Sequence, residues 1–355
     1  MSNDNNKQCD QIACRLKTSI GGQALIEGIM MRGPEMSAMA VRNPEGEIVL
    51  EKWPTATKKP PRIFTLPIFR GVYNFIASMA SGYKCLMRSA EISGLDDIEE
   101  DKPKKSEEMS SDVVPDEEVK ADPKEKEGKT SVLMTVIMIA SVVLGVALAL
   151  FLFMLLPSMA FEGLAFLLPF LKGQSPAVNS LIKSVIEGLL RIAILVGYMA
   201  LVALMKDIRR TFQYHGAEHK TIFCYEHGRE LTVENVRGER RFHPRCGTSF
   251  LILMLIVSIF VSFFIDPLFL LIAGQVPPVL IRSAVKLLML PLVMGIGYEL
   301  IKLAGRHDNL FTRIISAPGM WLQRITVLEP DDDMIECAIA AFREVIPSDS
   351  KSDQY

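Results

Sequence analysis

The chain has 355 residues, 49% hydrophobic and 23% charged, with a formal net charge of −2 and a mean hydropathy of +0.26. A positive mean hydropathy carried in long apolar runs excludes a purely soluble domain, a secreted disulfide scaffold and a disordered chain. The near-neutral charge is a cancellation: residues 96–129 hold 14 acids and 7 lysines, so this stretch carries −7, which taken from −2 leaves +5 for the rest.

Residues 1–17 are polar and read as a disordered tail. No apolar stretch of signal-peptide length follows them, so no cleavage is expected. Residues 18–60 read as a small N-terminal module on the cytosolic side. Gly21-Gly22 opens it, Arg32-Gly33-Pro34 breaks it, and Asn43-Pro44-Glu45-Gly46 forms a type I turn between two strand-like runs, which predicts a β-hairpin. In residues 61–95, Ile68, Phe69, Val72, Phe75, Ile76, Met79 and Tyr83 recur at helical spacing. That pattern predicts an amphipathic helix, lying on a membrane surface or packed against the bundle. Residues 96–129 have no aromatic residue and three prolines, and they predict a disordered acidic linker.

Four apolar runs follow, at 131–156, 188–205, 249–265 and 279–304. Each is near or above the roughly 18 to 20 residues that cross a bilayer. Residues 157–173 are apolar but interrupted by Pro157, Gly163 and Pro169, which predicts a re-entrant or interfacial segment. The loop 206–248 holds nine Lys/Arg, against Lys172 alone in 157–180. Positive charge stays inside, so this loop and both termini are expected in the cytoplasm. The six cysteines would then face a reducing compartment, and no structural disulfide is expected. The fold class expected is a mainly α, polytopic membrane protein with about four transmembrane helices. Its small α+β cytosolic domain would be assembled from N-terminal, central-loop and C-terminal segments. Residues 130–205 would hold the first two spans, 249–304 the last two, and 305–355 a cytosolic tail. Within that tail a helix is expected from about Met320 and another from Met334 to Val345, capped by the acids of Glu329-Pro330-Asp331-Asp332-Asp333.

The cytosolic loop carries the chemistry. In Tyr214-His215-Gly216-Ala217-Glu218-His219-Lys220-Thr221, a helix puts His215 and His219 on one face at i and i+4. Two such imidazoles can share one Zn²⁺ or another divalent metal. Glu218 beside them could act as general base on a water held there. H-x-x-E-H is also the pattern of the inverted zinc peptidases. His243 and Cys246, in Arg241-Phe242-His243-Pro244-Arg245-Cys246-Gly247-Thr248, have the spacing of a metal-ligand turn. Four protein ligands would make a closed structural site, and three would leave a catalytic position open. The rival reading makes these histidines a headgroup-facing surface. Glu299 and Glu234 are further ligand candidates, although Lys302 at i+3 explains Glu299 without a metal. Lys183, Glu187 and Arg191 on the second span, with Arg282 and Lys286 on the fourth, form charged stripes that read as mutual pairing or as a polar path.

The run from 21 to 33 (GGQALIEGIMMRG), the His215–Thr221 and His243–Thr248 segments and the acidic 329–333 turn together resemble the YqhQ-like family of bacterial membrane proteins, the domain of unknown function 1385. Its members are labelled predicted metal-dependent enzymes, and the resemblance implies that activity here. It also draws Gln23, Glu27 and Arg32, which composition alone would assign to a loop, toward the metal loop as co-lining residues. The expected function is therefore metal-dependent hydrolysis at the cytosolic face of the inner (plasma) membrane. A peptide bond is the first substrate expected, and a lipid or other ester the next. Two alternatives stand beside it: a scaffold or assembly factor with a structural His/Cys zinc site, and a transporter or channel. Expected partners are the lipid bilayer and a protein or lipid substrate, with homo-oligomerisation open and no nucleic acid.

Overall fold

The structure is a computed structural model describing residues 17–55, 61–94, 130–172, 175–275, 277–307, 309–348 and 353. The N-terminal tail up to residue 16, with Cys9 and Cys14, and the acidic linker at 96–129 lie outside the described residues. The chain is mainly helical, with one four-stranded sheet.

Four strands run antiparallel in chain order: β1 (Gly21–Leu25), β2 (Gly28–Arg32), β3 (Met36–Arg42) and β4 (Ile48–Pro54). The stretch whose composition suggests a loop is the first hairpin, turning at Ile26 and Glu27 with Glu27 at φ 48°. Its strand signal is hidden because β2 is buried on both faces from Gly28 to Met31, so its side chains do not alternate apolar and polar. The hairpin of β3 and β4 closes at Asn43, whose side chain accepts from the Glu47 amide at 2.7 Å. One face of the sheet, through Ile29, Met31, Ala38 and Ala40, packs on Tyr214, Ala217, Ala338 and Phe342. The other face, through Leu25, Met30, Met39 and Val41, packs on Cys85. Cys85 belongs to helix α1 (Phe69–Ile92).

The apolar helices are less simple than four separate runs. Helix α2 (Thr130–Leu150), a π-turn (Phe151–Leu155) and α3 (Leu156–Leu167) join into one span over Ile139–Leu167. In the segment expected to be re-entrant or interfacial, the helix passes through Pro157 and Gly163 and continues to Leu167, and a short 3-10 turn follows at Pro169–Leu171. Proline has no N–H to offer the carbonyl four residues earlier. That carbonyl, of Phe153, instead accepts from Arg191 Nε at 2.9 Å, and the π-turn absorbs the misfit. Arg191 lies on α4 (Pro176–Val202). Helix α7 (Gly247–Ala273) forms a further candidate span. Helices α8 (Val279–Leu288) and α9 (Leu290–Arg306) bend by 47° at their junction. Three helices are therefore long and apolar enough to cross a membrane among the described residues, or four if the bent pair counts as one.

Between these helices the charged stripes interlock. Glu187 is fully buried and collects Arg191 Nη2 at 3.0 Å, Lys286 Nζ at 3.0 Å, Arg282 Nη1 at 3.5 Å and the Ser158 hydroxyl at 2.8 Å. Arg282 Nη2 also meets Asp266 on α7 at 3.0 Å. Each charged side chain in this cluster lies against an opposite charge, which offsets the cost of burying it.

Two further helices, α5 (Lys206–Glu226) and α6 (Val233–Arg237), lie between α4 and α7. After α9 come α10 (Leu310–Thr326) and α11 (Asp332–Arg343). The helix expected from Met320 starts ten residues earlier, because Asn309 and Thr312 form a reciprocal capping box. Pro318 is accommodated inside it. Among the described residues Cys85, Cys224, Cys246 and Cys337 are free thiols.

Candidate metal centre

Helix α5 brings the candidate ligands together. Its Asp207 sits in the first turn, where a negative charge favours the helix. Gly216 is required for a close approach: a Cβ there would lie on the Leu328 carbonyl oxygen, whose residue is hydrogen-bonded through its amide to the Phe212 carbonyl at 2.9 Å. Gly216→Ala is therefore expected to lower stability by on the order of 1–3 kcal/mol and to weaken metal retention together, read by thermal melting and metal content. A variant melting like the parent would remove this account of the glycine.

His215 and His219 stand one turn apart with ring centroids separated by 4.5 Å. Each is anchored by its Nδ1. His215 Nδ1 lies 3.0 Å from the Thr326 carbonyl, and His219 Nδ1 lies 2.5 Å from the Arg241 carbonyl. A carbonyl can only accept, so both Nδ1 atoms donate, which leaves Nε2 as the nitrogen that presents a lone pair to a metal once its ring is neutral. That is the arrangement by which proteins orient metal-bound imidazoles. His215 Nε2 is 3.1 Å from Cys246 Sγ, and the ligand atoms of His215, His219 and Cys246 all lie within 4.8 Å of one another.

Cys246 is the N-cap residue of α7, so its sulfur sits at the positive end of a candidate span. Burial would raise its thiol, but the His215 and His219 rings beside it hold it well below the ordinary thiol value. Burial likewise lowers His215, yet the facing thiolate outweighs it and lifts the ring to about 9. Two imidazole nitrogens and a thiolate form a borderline-soft donor set that fits Zn²⁺.

Glu218 is buried beside them. Burial raises its carboxyl above the usual range, while His215 and His219 pull it down and the Gly22 amide donates to it. Gly22 permits that approach, since a Cβ there would come within 3.0 Å of the Glu218 carboxyl carbon. Gly21, Gly22, Glu218, His219 and Cys246 line one cavity of about 150 Å³. The edge of the sheet thus closes over the histidine helix, through glycines rather than through the polar residues that the sequence singles out.

The remaining candidates fall elsewhere. His243 is close, its ring centroid 5.6 Å from that of His219, but it is not part of the three-ligand cluster. Its Nδ1 accepts from the Arg245 amide at 3.2 Å and its Nε2 faces Glu226 at 3.8 Å. Burial above all lowers His243 to about 4. Gln323, fully buried on α10, clamps the His243 backbone at both its amide and its carbonyl, each at 2.8 Å. Glu27 is also outside the cluster, its carboxylate held by Arg210 at 2.5 and 2.6 Å and by the Tyr214 hydroxyl at 3.3 Å. Glu27→Gln is accordingly expected to cost about 1 kcal/mol in a melting experiment and to leave metal stoichiometry unchanged; a lost ion would restore it to the site. Arg32 is exposed and lines a neighbouring cavity of about 620 Å³, which shares Ser19, Gly21 and Gly22 with the cavity at the three ligands. Glu234 sits in the first turn of α6, likewise apart from the three ligands. Glu299 pairs with Arg70 of α1 at 2.6 and 2.5 Å, which corrects the Lys302 pairing expected within its own helix.

Thr326, Arg241, Gln323 and Glu226 escape the sequence reading. The first two act through backbone carbonyls, which carry no residue-type signal. Gln323 and Glu226 are buried polar groups on helices, where only their position among apolar neighbours could give them away.

The family described as "Protein of unknown function (DUF1385)" matches residues 66–348. The chain is 32% identical over 348 residues to the "Uncharacterized protein YqhQ" of Bacillus subtilis (strain 168), covering 96% of each. No solved structure matches.

Proposed function

This chain belongs to the DUF1385 family, and we propose that it is an integral membrane hydrolase with a divalent metal, zinc first, at the cytosolic face of the plasma membrane. The observation that carries the reading is the pair of Nδ1-anchored imidazoles converging with the Cys246 thiolate beside a buried carboxylate and a cavity. Three protein ligands leave a fourth position for substrate chemistry, whereas a closed structural site uses four.

Zinc held by His215, His219 and Cys246 would supply Lewis acidity and bring the pKa of a water molecule to about 7. The chain's own residues do the rest. The Thr326 and Arg241 carbonyls fix both imidazoles in the required tautomer. Glu218, its carboxyl raised by burial, takes the proton of the attacking water and is placed to return it to the leaving group. The basic loop at 206–248 supports the orientation, with both termini in the cytoplasm and the helices crossing the bilayer several times.

Elemental analysis tests the centre directly. The purified protein should carry about one zinc per chain, and His215→Ala and Cys246→Ser should each abolish it. A metal-free parent protein would end both the catalytic and the structural zinc readings.

A further inference from the structure

We infer that a groove beside the metal centre binds the phosphate-bearing headgroup of an anionic membrane lipid. Its role of presenting that lipid for cleavage rests on the hydrolytic reading above, while the binding stands on the groove itself. The groove encloses about 650 Å³ between α10, the end of α9 and the turn leading to Cys246, a volume in the range of ligand pockets. Four cations line it, Lys17, Arg240, Arg245 and Arg313, against one acid, Glu226. Arg245 lies against that acid. The Arg240 guanidinium is set 4.5 Å over the Phe223 ring, and Lys17 reaches the Gly305 carbonyl at 3.4 Å. The lining also has an apolar part, with Phe242, Met320 and Trp321. Cationic and apolar walls in one groove suit an amphiphile with an anionic head.

The groove's position names the source of that anion. It lies where α9 ends at Arg306 and close to where α7 begins at Gly247, which is the membrane boundary on the side of the metal centre. Helix α10 exposes Leu310 (75%), Ile314 (62%) and Trp321 (69%) at i, i+4 and i+11. Such a stripe lies in the plane of the interface, and tryptophan sits at the level of the headgroups. His243 and Arg245 line both this groove and the metal cavity, so one wall separates the bound headgroup from the ligands. This favours a lipid over the peptide bond that the histidine motif first suggests.

The chain has two tryptophans, so Trp53→Phe leaves Trp321 as the sole reporter in the groove. Titrating this protein in neutral detergent with dioctanoyl phosphatidylglycerol should give a saturable fluorescence change. Dioctanoyl phosphatidylcholine and free glycerol phosphate should give none over the same range. The exposed-side-chain variants Arg240→Gln and Lys17→Gln should each weaken the response about fivefold, the effect of one cation near an anionic lipid. Equal binding of the phosphatidylcholine, or unchanged affinity in both variants, overturns the proposal. Glycerol phosphate binding as tightly overturns the lipid in favour of a soluble phosphate. Zinc-loaded protein that ignores phosphatidylglycerol sinks this inference alone, whereas lipid-binding protein without zinc sinks the hydrolase alone.

Discussion

Glu218→Gln should lower kcat/KM by about 10²–10⁴-fold while leaving zinc content and melting behaviour close to those of the parent. The substitution is nearly isosteric, and the oxygen of the introduced side-chain amide can still accept from the Gly22 N–H that now reaches the carboxylate. What disappears is the capacity to take a proton at that position. Ester and amide substrates with anionic lipid headgroups are the panel on which to measure it. If Glu218→Gln turns over like the parent while His215→Ala unfolds the protein, the zinc is structural and the scaffold reading takes its place. The distinction is sharp because Glu218 touches the cavity but is not one of the three converging ligands.

The second large effect lies within the spans. Glu187→Ala should destabilise the folded protein by about 3–5 kcal/mol, because it leaves Arg191, Arg282 and Lys286 buried with Asp266 as the remaining acid of the cluster. Thermal unfolding in detergent, followed by helical circular dichroism, reads the loss. A shift no larger than that of a surface pair would show that water reaches the cluster and that the charges are not truly buried. The Arg70–Glu299 pair is the built-in control. Its side chains are 31% and 27% exposed, so breaking it should cost about 1 kcal/mol or less.

How much of this is legible in the sequence depends on the range of the interaction. The i, i+4 relation of His215 and His219 is local, and a helical period suffices to place both rings on one face. Cys246 can be nominated by residue type, but the choice between it and His243 turns on a tertiary contact. Glu226 and Gln323 occupy His243, and neither is near it in sequence. Glu299 shows the same limit: its partner Arg70 lies 229 positions away, so the nearer Lys302 is the natural expectation. Pro157 breaks a helix taken in isolation. Arg191 on the neighbouring helix supplies the donor that proline lacks, and no single-segment pattern contains that information. The first hairpin is hidden for the opposite reason, since burial of four successive residues of β2 erases the alternation by which strands are recognised.

The Thr326 carbonyl anchor also sets a timetable for the protein's biosynthesis. His215 emerges from the ribosome well before its support, because Thr326 lies 111 residues further along the chain. Between them the chain must complete α7, α8 and α9. A nascent chain therefore carries both imidazoles and the thiol before it can hold His215 in its final tautomer. The cluster of His215, His219 and Cys246 is therefore complete only after α10 is in place, and an incompletely inserted protein lacks the His215 anchor.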